Sequence, residues 1–177
     1  MSGSPWSSFD LAARNSTPTL LLLFLVVLGQ LPFSLPGDSA VTPYFVLMAV
    51  FYWGLHRPDL LPAIVVFIVG LLQDALEGEP FGVNAFVLIA VYWFVASQQR
   101  HIGGRPFLVL WLVFASVGLV AACLRWLLVS TLTTTLIMPW SVAFEYLMTV
   151  ALYPVLIIAF VLAQKTLPRG GGGDFMD

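Results

Sequence analysis

Residues 70–82 read Gly70-Leu71-Leu72-Gln73-Asp74-Ala75-Leu76-Glu77-Gly78-Glu79-Pro80-Phe81-Gly82, and the reading of this stretch decides the fold. It carries three of the chain's nine acids (Asp74, Glu77, Glu79), one proline and three glycines, between two strongly apolar segments. On a helix, Gly70, Gln73, Asp74 and Glu77 fall at i, i+3, i+4 and i+7, which is one face. A small and polar stripe therefore climbs the end of an apolar helix, and Gly78-Glu79-Pro80-Phe81-Gly82 then reverses the chain. Ionisable groups on a membrane helix are costly and turn to protein or water, away from lipid. Each carboxylate taken singly is expected at a helix end in water. Stripe and turn together, with Gly70, Gln73, Asp74, Glu77, Gly78, Pro80 and Gly82, read as a packing or partner surface.

Outward from this stretch the composition sets the class. Of 177 residues, 60% are hydrophobic and only 9% charged, with a mean hydropathy of +0.97. A soluble domain carries roughly 25% charged residues. Apolar segments in this proportion cannot all be hidden in a water-soluble core of this size, so the chain reads as a multi-spanning membrane protein. A net charge of −2 argues against a basic surface for nucleic acid. Cys123 is the single cysteine and lies in an apolar run, so no intrachain disulfide can form.

Apolar runs cover residues 17–31, 42–56, 60–76, 81–97, 106–130 and 140–163. A helix crosses the hydrocarbon core with about 20 apolar residues, range roughly 17–25. The last four runs qualify alone and the first two with their flanks. None alternates polar and apolar residues as a barrel strand does. The expectation is an all-α, six-helix transmembrane domain over residues 17–163. Residues 1–16 form a cytoplasmic lead-in, and residues 164–177, with four consecutive glycines, a flexible cytoplasmic tail. No small-x-small cleavage pattern follows the first run, so it is expected to be retained.

Orientation follows from the basic residues. With both termini in the cytoplasm, Arg14, Arg57, Arg100, Arg105, Lys165 and Arg169 all fall on cytoplasmic termini or connections, as short basic loops do. The first, third and fifth connections then carry no Lys or Arg, which puts Asp74, Glu77 and Glu79 on the outer side. Tyr52-Trp53 and Tyr92-Trp93 are expected as interfacial aromatics at the cytoplasmic helix ends.

No reaction centre is legible: there is no catalytic residue set, no cofactor-binding motif and no metal-ligand spacing. His56 and His101 read as solvated loop residues. Two ionisable residues lie within expected helices, Arg125 in the fifth and Glu145 in the sixth. A hairpin brings them to matching depth with opposite sign, either as an intramembrane ion pair or as part of a substrate or proton site. Ala115, Gly118 and Ala122 allow another helix to approach the fifth, and Pro154 removes one backbone bond from the sixth.

With these residues in hand, the chain resembles the MreD family of bacterial rod shape-determining membrane proteins. The resemblance is carried by the short six-helix chain, by Pro43 with Tyr52-Trp53, and above all by residues 70–76 followed by 78–82. That string is similar to the family's G-x-x-x-D…G-x-P-x-G hallmark. Motif is recognisable only over residues 43–100, and Phe81 and Asn84 depart from the Leu or Ile and the His common at those positions. The resemblance implies a non-enzymatic protein of the cell inner membrane with a fold similar to the substrate-binding S-components of energy-coupling-factor transporters. It also implies association with the bitopic protein MreC and with the elongation machinery of MreB, RodA and its transpeptidase in side-wall peptidoglycan synthesis. Two functions follow as expectations: a scaffold holding MreC's membrane helix in a lateral groove, or a small-molecule-binding, S-component-like transporter subunit.

Overall fold

The computed structural model describes residues 17–30, 42–102, 104–133 and 139–165. They form α1 Thr17–Gly29, α2 Phe45–His56, α3 Ala63–Glu77, α4 Val83–Ile102, α5 Phe107–Thr133 and α6 Pro139–Lys165, with a 3-10 turn at Pro58–Leu60. Among the described residues the fold is thus all-helical, as the unbroken apolar runs require. The lead-in over residues 1–16, the connection 31–41, the centre of the threonine-rich connection at 134–138 and the tail beyond 165 lie outside them.

Helices α5 and α6 each run for 27 residues. At ~1.5 Å per residue each is about 40 Å long, more than the ~30 Å hydrocarbon core. Among the described residues they are the two helices long and apolar enough to cross a membrane, while α1 and α2 are apolar but shorter. Apolar side chains such as Leu119, Val120, Leu147 and Ile158 stand exposed along them. That distribution suits a lipid-facing hairpin, because lipid and not water is the favourable surroundings for such a face.

The centre of the bundle is α2. Every residue from Phe45 to Leu55 is buried, which is how a helix apolar on all sides must sit. Its neighbours supply an aromatic cluster: Phe114 of α5 stacks on Tyr153 of α6 at 3.9 Å, and Phe51 meets both edge-on at 5.2 and 5.8 Å. This enclosure corrects the reading of Tyr52-Trp53 as interfacial. Trp53 is fully buried, and Tyr52 packs between His56 and Phe160 with ring centroids 4.4 and 5.1 Å away. With α1, α4 and α6 packed around it and Phe114 of α5 against Phe51, α2 has no face left to offer the interface. Of the second aromatic pair, Tyr92 is buried as well and Trp93 is exposed.

Two boundaries differ from the apolar runs. Gln98, Gln99, Arg100 and His101 belong to α4 and not to a link, since nothing in that string breaks a helix before Gly103-Gly104. Likewise α5 continues through Thr131 and Thr133. Their hydroxyls donate to the carbonyls of Leu127 and Val129 four residues back, at 2.9 and 2.8 Å, so the side chains are satisfied within the helix.

In α6, Pro139 takes the first helical position, where its missing N–H has no intrahelical partner anyway. Pro154 is different: it lies inside the helix and leaves the Val150 carbonyl without its donor four residues on. The Trp111 indole of α5 fills the gap, donating from Nε1 to the Val150 oxygen at 3.0 Å. Trp111→Phe keeps an aromatic ring there but orphans this carbonyl. It should cost about 1–3 kcal/mol, read as a lower melting temperature in detergent. An unchanged melting temperature would show that the α5–α6 seam does not depend on this bond.

Candidate functional site

The site grows from the hairpin of α3 and α4. Gly70 faces α4 so closely that a Cβ added to it would lie 2.3 Å from the Ala85 Cα and 2.7 Å from its nitrogen. Since both atoms are backbone, no rotamer change could make room. This close approach brings the last turn of α3 alongside the first turn of α4, and Asp74 uses it. Asp74 is 0% exposed. Its Oδ2 accepts from the Gly82 N–H and its Oδ1 from the Asn84 N–H, both at 2.8 Å. Asp74 is therefore the N-terminal cap of α4 supplied by a different helix. It satisfies N–H groups that the first turn leaves without partners and sets a negative charge at the positive end of the helix dipole.

The turn is shaped to allow this. Gly78 ends α3 in the left-handed region at φ 70°, where a side chain would be strained. The Glu79 N–H then closes back on the Asp74 carbonyl at 3.2 Å, Pro80 offers its carbonyl to the Val83 N–H at 3.3 Å, and Gly82 offers its own to Phe86 at 2.9 Å. Phe81 stands out of the turn, 77% exposed. The structure thus brings Gly70, Gln73 and Asp74 onto one buried face and puts Gly78, Pro80 and Gly82 in the connection that aims α4.

Beside the hairpin lies a charged node. Arg125 of α5, with its side chain 15% exposed, reaches Glu145 of α6 at 2.6 Å and Glu77 and Glu79 at 2.8 Å each. Its Nε also donates to Glu79 at 3.2 Å. The expectation that each acid sits singly in water is corrected for Asp74, which is fully buried, while Glu77 stays exposed and is paired, as is Glu79, with Arg125. The hairpin end leans against α5, and a single guanidinium with several N–H donors can engage three carboxylates at once.

Three further residues complete the node. Asn84 donates from Nδ2 to Glu77 and Glu79 at 3.2 and 3.3 Å, and its Oδ1 accepts from the Tyr44 hydroxyl at 2.8 Å. The Arg125 guanidinium carbon sits 5.3 Å from the centre of the Tyr44 ring. Thr149 accepts from the Tyr44 N–H at 2.9 Å and donates to the Glu145 carbonyl at 2.6 Å. Tyr44 and Thr149 escaped the sequence reading, and Asn84 entered it only as a departure from the family's usual His, because each is an uncharged residue in or beside an apolar run. The available signal was nearness to the acids and to the helix ends they mark, for Tyr44 and Asn84, and for Thr149 its place one turn after Glu145.

The node joins the N-terminal ends of α2 and α4, the C-terminal end of α3, and the interiors of α5 and α6. Towards α5 and α6 it forms the floor of a cavity of about 120 Å³ whose walls include Gly118, Ala122, Trp126, Val142 and Tyr146. Tyr146 also closes the seam on the small residues of α5, donating its hydroxyl to the Ala115 carbonyl at 3.0 Å. Among the described residues, no three His, Cys, Asp or Glu side chains converge as a metal-holding group. The arrangement is one that holds five helices in register and offers a laterally placed cavity with a charged floor.

A family model described as rod shape-determining protein MreD matches residues 12–164 of the chain. Neither a curated protein nor a solved structure matches it.

Two outcomes follow from this geometry. Asp74→Ala removes both acceptors of the α4 cap and should cost about 2–4 kcal/mol, and Gly70→Ala about 1–3 kcal/mol through forced separation of α3 and α4. Asp74→Asn, which keeps one acceptor, should fall between wild type and Asp74→Ala in detergent melts. Equal stability of Asp74→Ala and wild type would remove the cap from the account. For the node, Arg125→Gln and Glu145→Gln should each destabilise, and together by less than their sum, with a coupling of roughly 0.5–3 kcal/mol. Additive losses would mean that the two charges do not support one another.

Proposed function

The chain belongs to the MreD family of rod shape-determining proteins, and from that premise we propose that it is a non-enzymatic scaffold of the bacterial cell-elongation machinery. In this reading it binds the single membrane helix of MreC and supports side-wall peptidoglycan synthesis by MreB, RodA and its transpeptidase. All six helices lie in the inner membrane with both termini in the cytoplasm, so that the node around Arg125 faces the outer side. The observation that carries the proposal is the family match over nearly the whole helical domain.

The surface supports it in kind. Between α4 and α5 runs an apolar groove of about 280 Å³ lined by Val87, Ala90, Phe94, Val117, Val120 and Leu124. Its small and β-branched residues let a further helix approach closely, which is how helices associate where lipid is as apolar as their side chains. We assign MreC's membrane helix to this groove. A second reading, a small-molecule-binding subunit similar to the S-components, draws on the charged-floored cavity of about 120 Å³.

Purification from gently solubilised membranes distinguishes them. MreC should co-purify with the wild-type chain, and Ala90→Trp, which fills the groove, should lower its recovery at least tenfold while the melting temperature stays near wild type. Retention of a tightly bound small molecule with no MreC would favour the second reading. Undiminished MreC recovery with Ala90→Trp would move the partner helix to another face.

A further inference from the structure

The charged node is out of balance. Glu77, Glu79 and Glu145 face one Arg125, and their side chains are only 26%, 21% and 24% exposed. Asp74 is already answered by two backbone N–H groups and contributes no relief. If all three glutamates are ionised, the node carries two negative charges more than Arg125 meets among the described residues, and partly buried charge left unbalanced is destabilising. Glu145 engages Arg125 through Oε1.

An independent observation lies on the other side of Glu145. A cavity of about 20 Å³ there is bordered by Gln73, Glu77 and Glu145, together with Thr42, Pro43, Tyr44 and apolar residues of α1 and α2. Gln73 is 6% exposed. Its Nε2 donates to Glu77 at 2.8 Å, which fixes the orientation of the amide, and its Oε1 is buried without a hydrogen-bond partner. A buried amide oxygen left unmade is expensive, on the order of 1–3 kcal/mol. Arg125 borders the larger cavity and is absent from the lining of this one. Among its described lining residues the small cavity thus has three side chains with acceptor oxygens, Gln73, Glu77 and Glu145, and no cation.

We propose that this cavity is a binding site for a single monovalent cation, Na⁺ by size, held by Gln73 Oε1 and the carboxylates of Glu77 and Glu145. A space of about 10–15 Å³ accommodates one water, so about 20 Å³ takes one occupant of that size, such as Na⁺. Hard cations take oxygen ligands, and the cavity offers a neutral amide oxygen with two carboxylates. The ion satisfies Gln73 Oε1 and lowers the excess negative charge of the node. It also links Gln73 of α3 to Glu145 of α6, beside the bridge that Arg125 already makes between Glu77 and Glu145, so the set of the bundle becomes sensitive to Na⁺.

The test uses the full chain in non-ionic detergent, melted in NaCl and in choline chloride at equal ionic strength, since choline is too large for the cavity. With Na⁺ in roughly tenfold excess over its Kd, the melting temperature should stand about 3–6 °C higher in NaCl. In Gln73→Leu, which fills the cavity with an apolar side chain, the difference between the salts should vanish. Equal melting of the wild type in both salts overturns the proposal, because a water or a proton on Glu145 then answers these oxygens. A difference that persists undiminished in Gln73→Leu also overturns it, since the ion would then sit elsewhere. The wild-type comparison decides even if the variant fails to fold.

Discussion

Helix α4 begins where Asp74 allows it to begin. A helix's first turn exposes N–H groups that nothing within the helix can accept, and in an apolar bundle water is a poor remedy. Here two of those groups are met by one carboxylate from the last turn of α3. The arrangement works only because Gly70 lets the two backbones close to a distance no other residue permits, and because Gly78 turns the chain sharply enough to present the new helix end to Asp74. The direction of α4, and with it the placement of everything packed on α4, depends on this single capping contact between helices.

The node around Arg125 is the second consequence of the same hairpin. With the end of α3 and the start of α4 pinned together, Glu77, Glu79 and Asn84 converge, and the guanidinium of α5 meets them with Glu145 of α6 at its other side. Long apolar helices such as α5 and α6 have little in their outward faces to specify rotation or depth, since lipid accepts any of them. A cation within one of them and a carboxylate within the other remove that freedom, because only one register lets the charges meet. The Trp111 indole does the same lower down, where Pro154 has released a carbonyl that must find a donor. Polar contacts therefore specify this apolar fold, and burial of α2 supplies its bulk.

Much of this was legible in residues 70–82. The i, i+3, i+4, i+7 spacing put Gly70, Gln73, Asp74 and Glu77 on one face, and the intramembrane signs of Arg125 and Glu145 suggested that they meet at matching depth. The aromatic pair Tyr52-Trp53 misled, because interfacial and core aromatics have the same composition and differ only in what surrounds them. The pairing of Glu77 and Glu79 was hidden for a related reason. An acid near a helix end reads as solvated unless a distant cation is known to arrive, and Arg125 is more than forty positions away.

Composition and periodicity by themselves determined the class, the helices and the polar face of α3, because these depend on residues close along the chain and on the cost of putting charge in lipid. Continuation of α4 and α5 past the apolar runs also has a local cause, in the lack of a breaker and in threonines that bond back to their own helix. Only the tertiary structure decided that Asp74 caps α4, that Arg125 serves three acids, and that Tyr44, Asn84 and Thr149 join them. Those facts rest on distances between segments far apart in sequence, and such distances are set by how closely the backbones pack and not by any pattern within a segment.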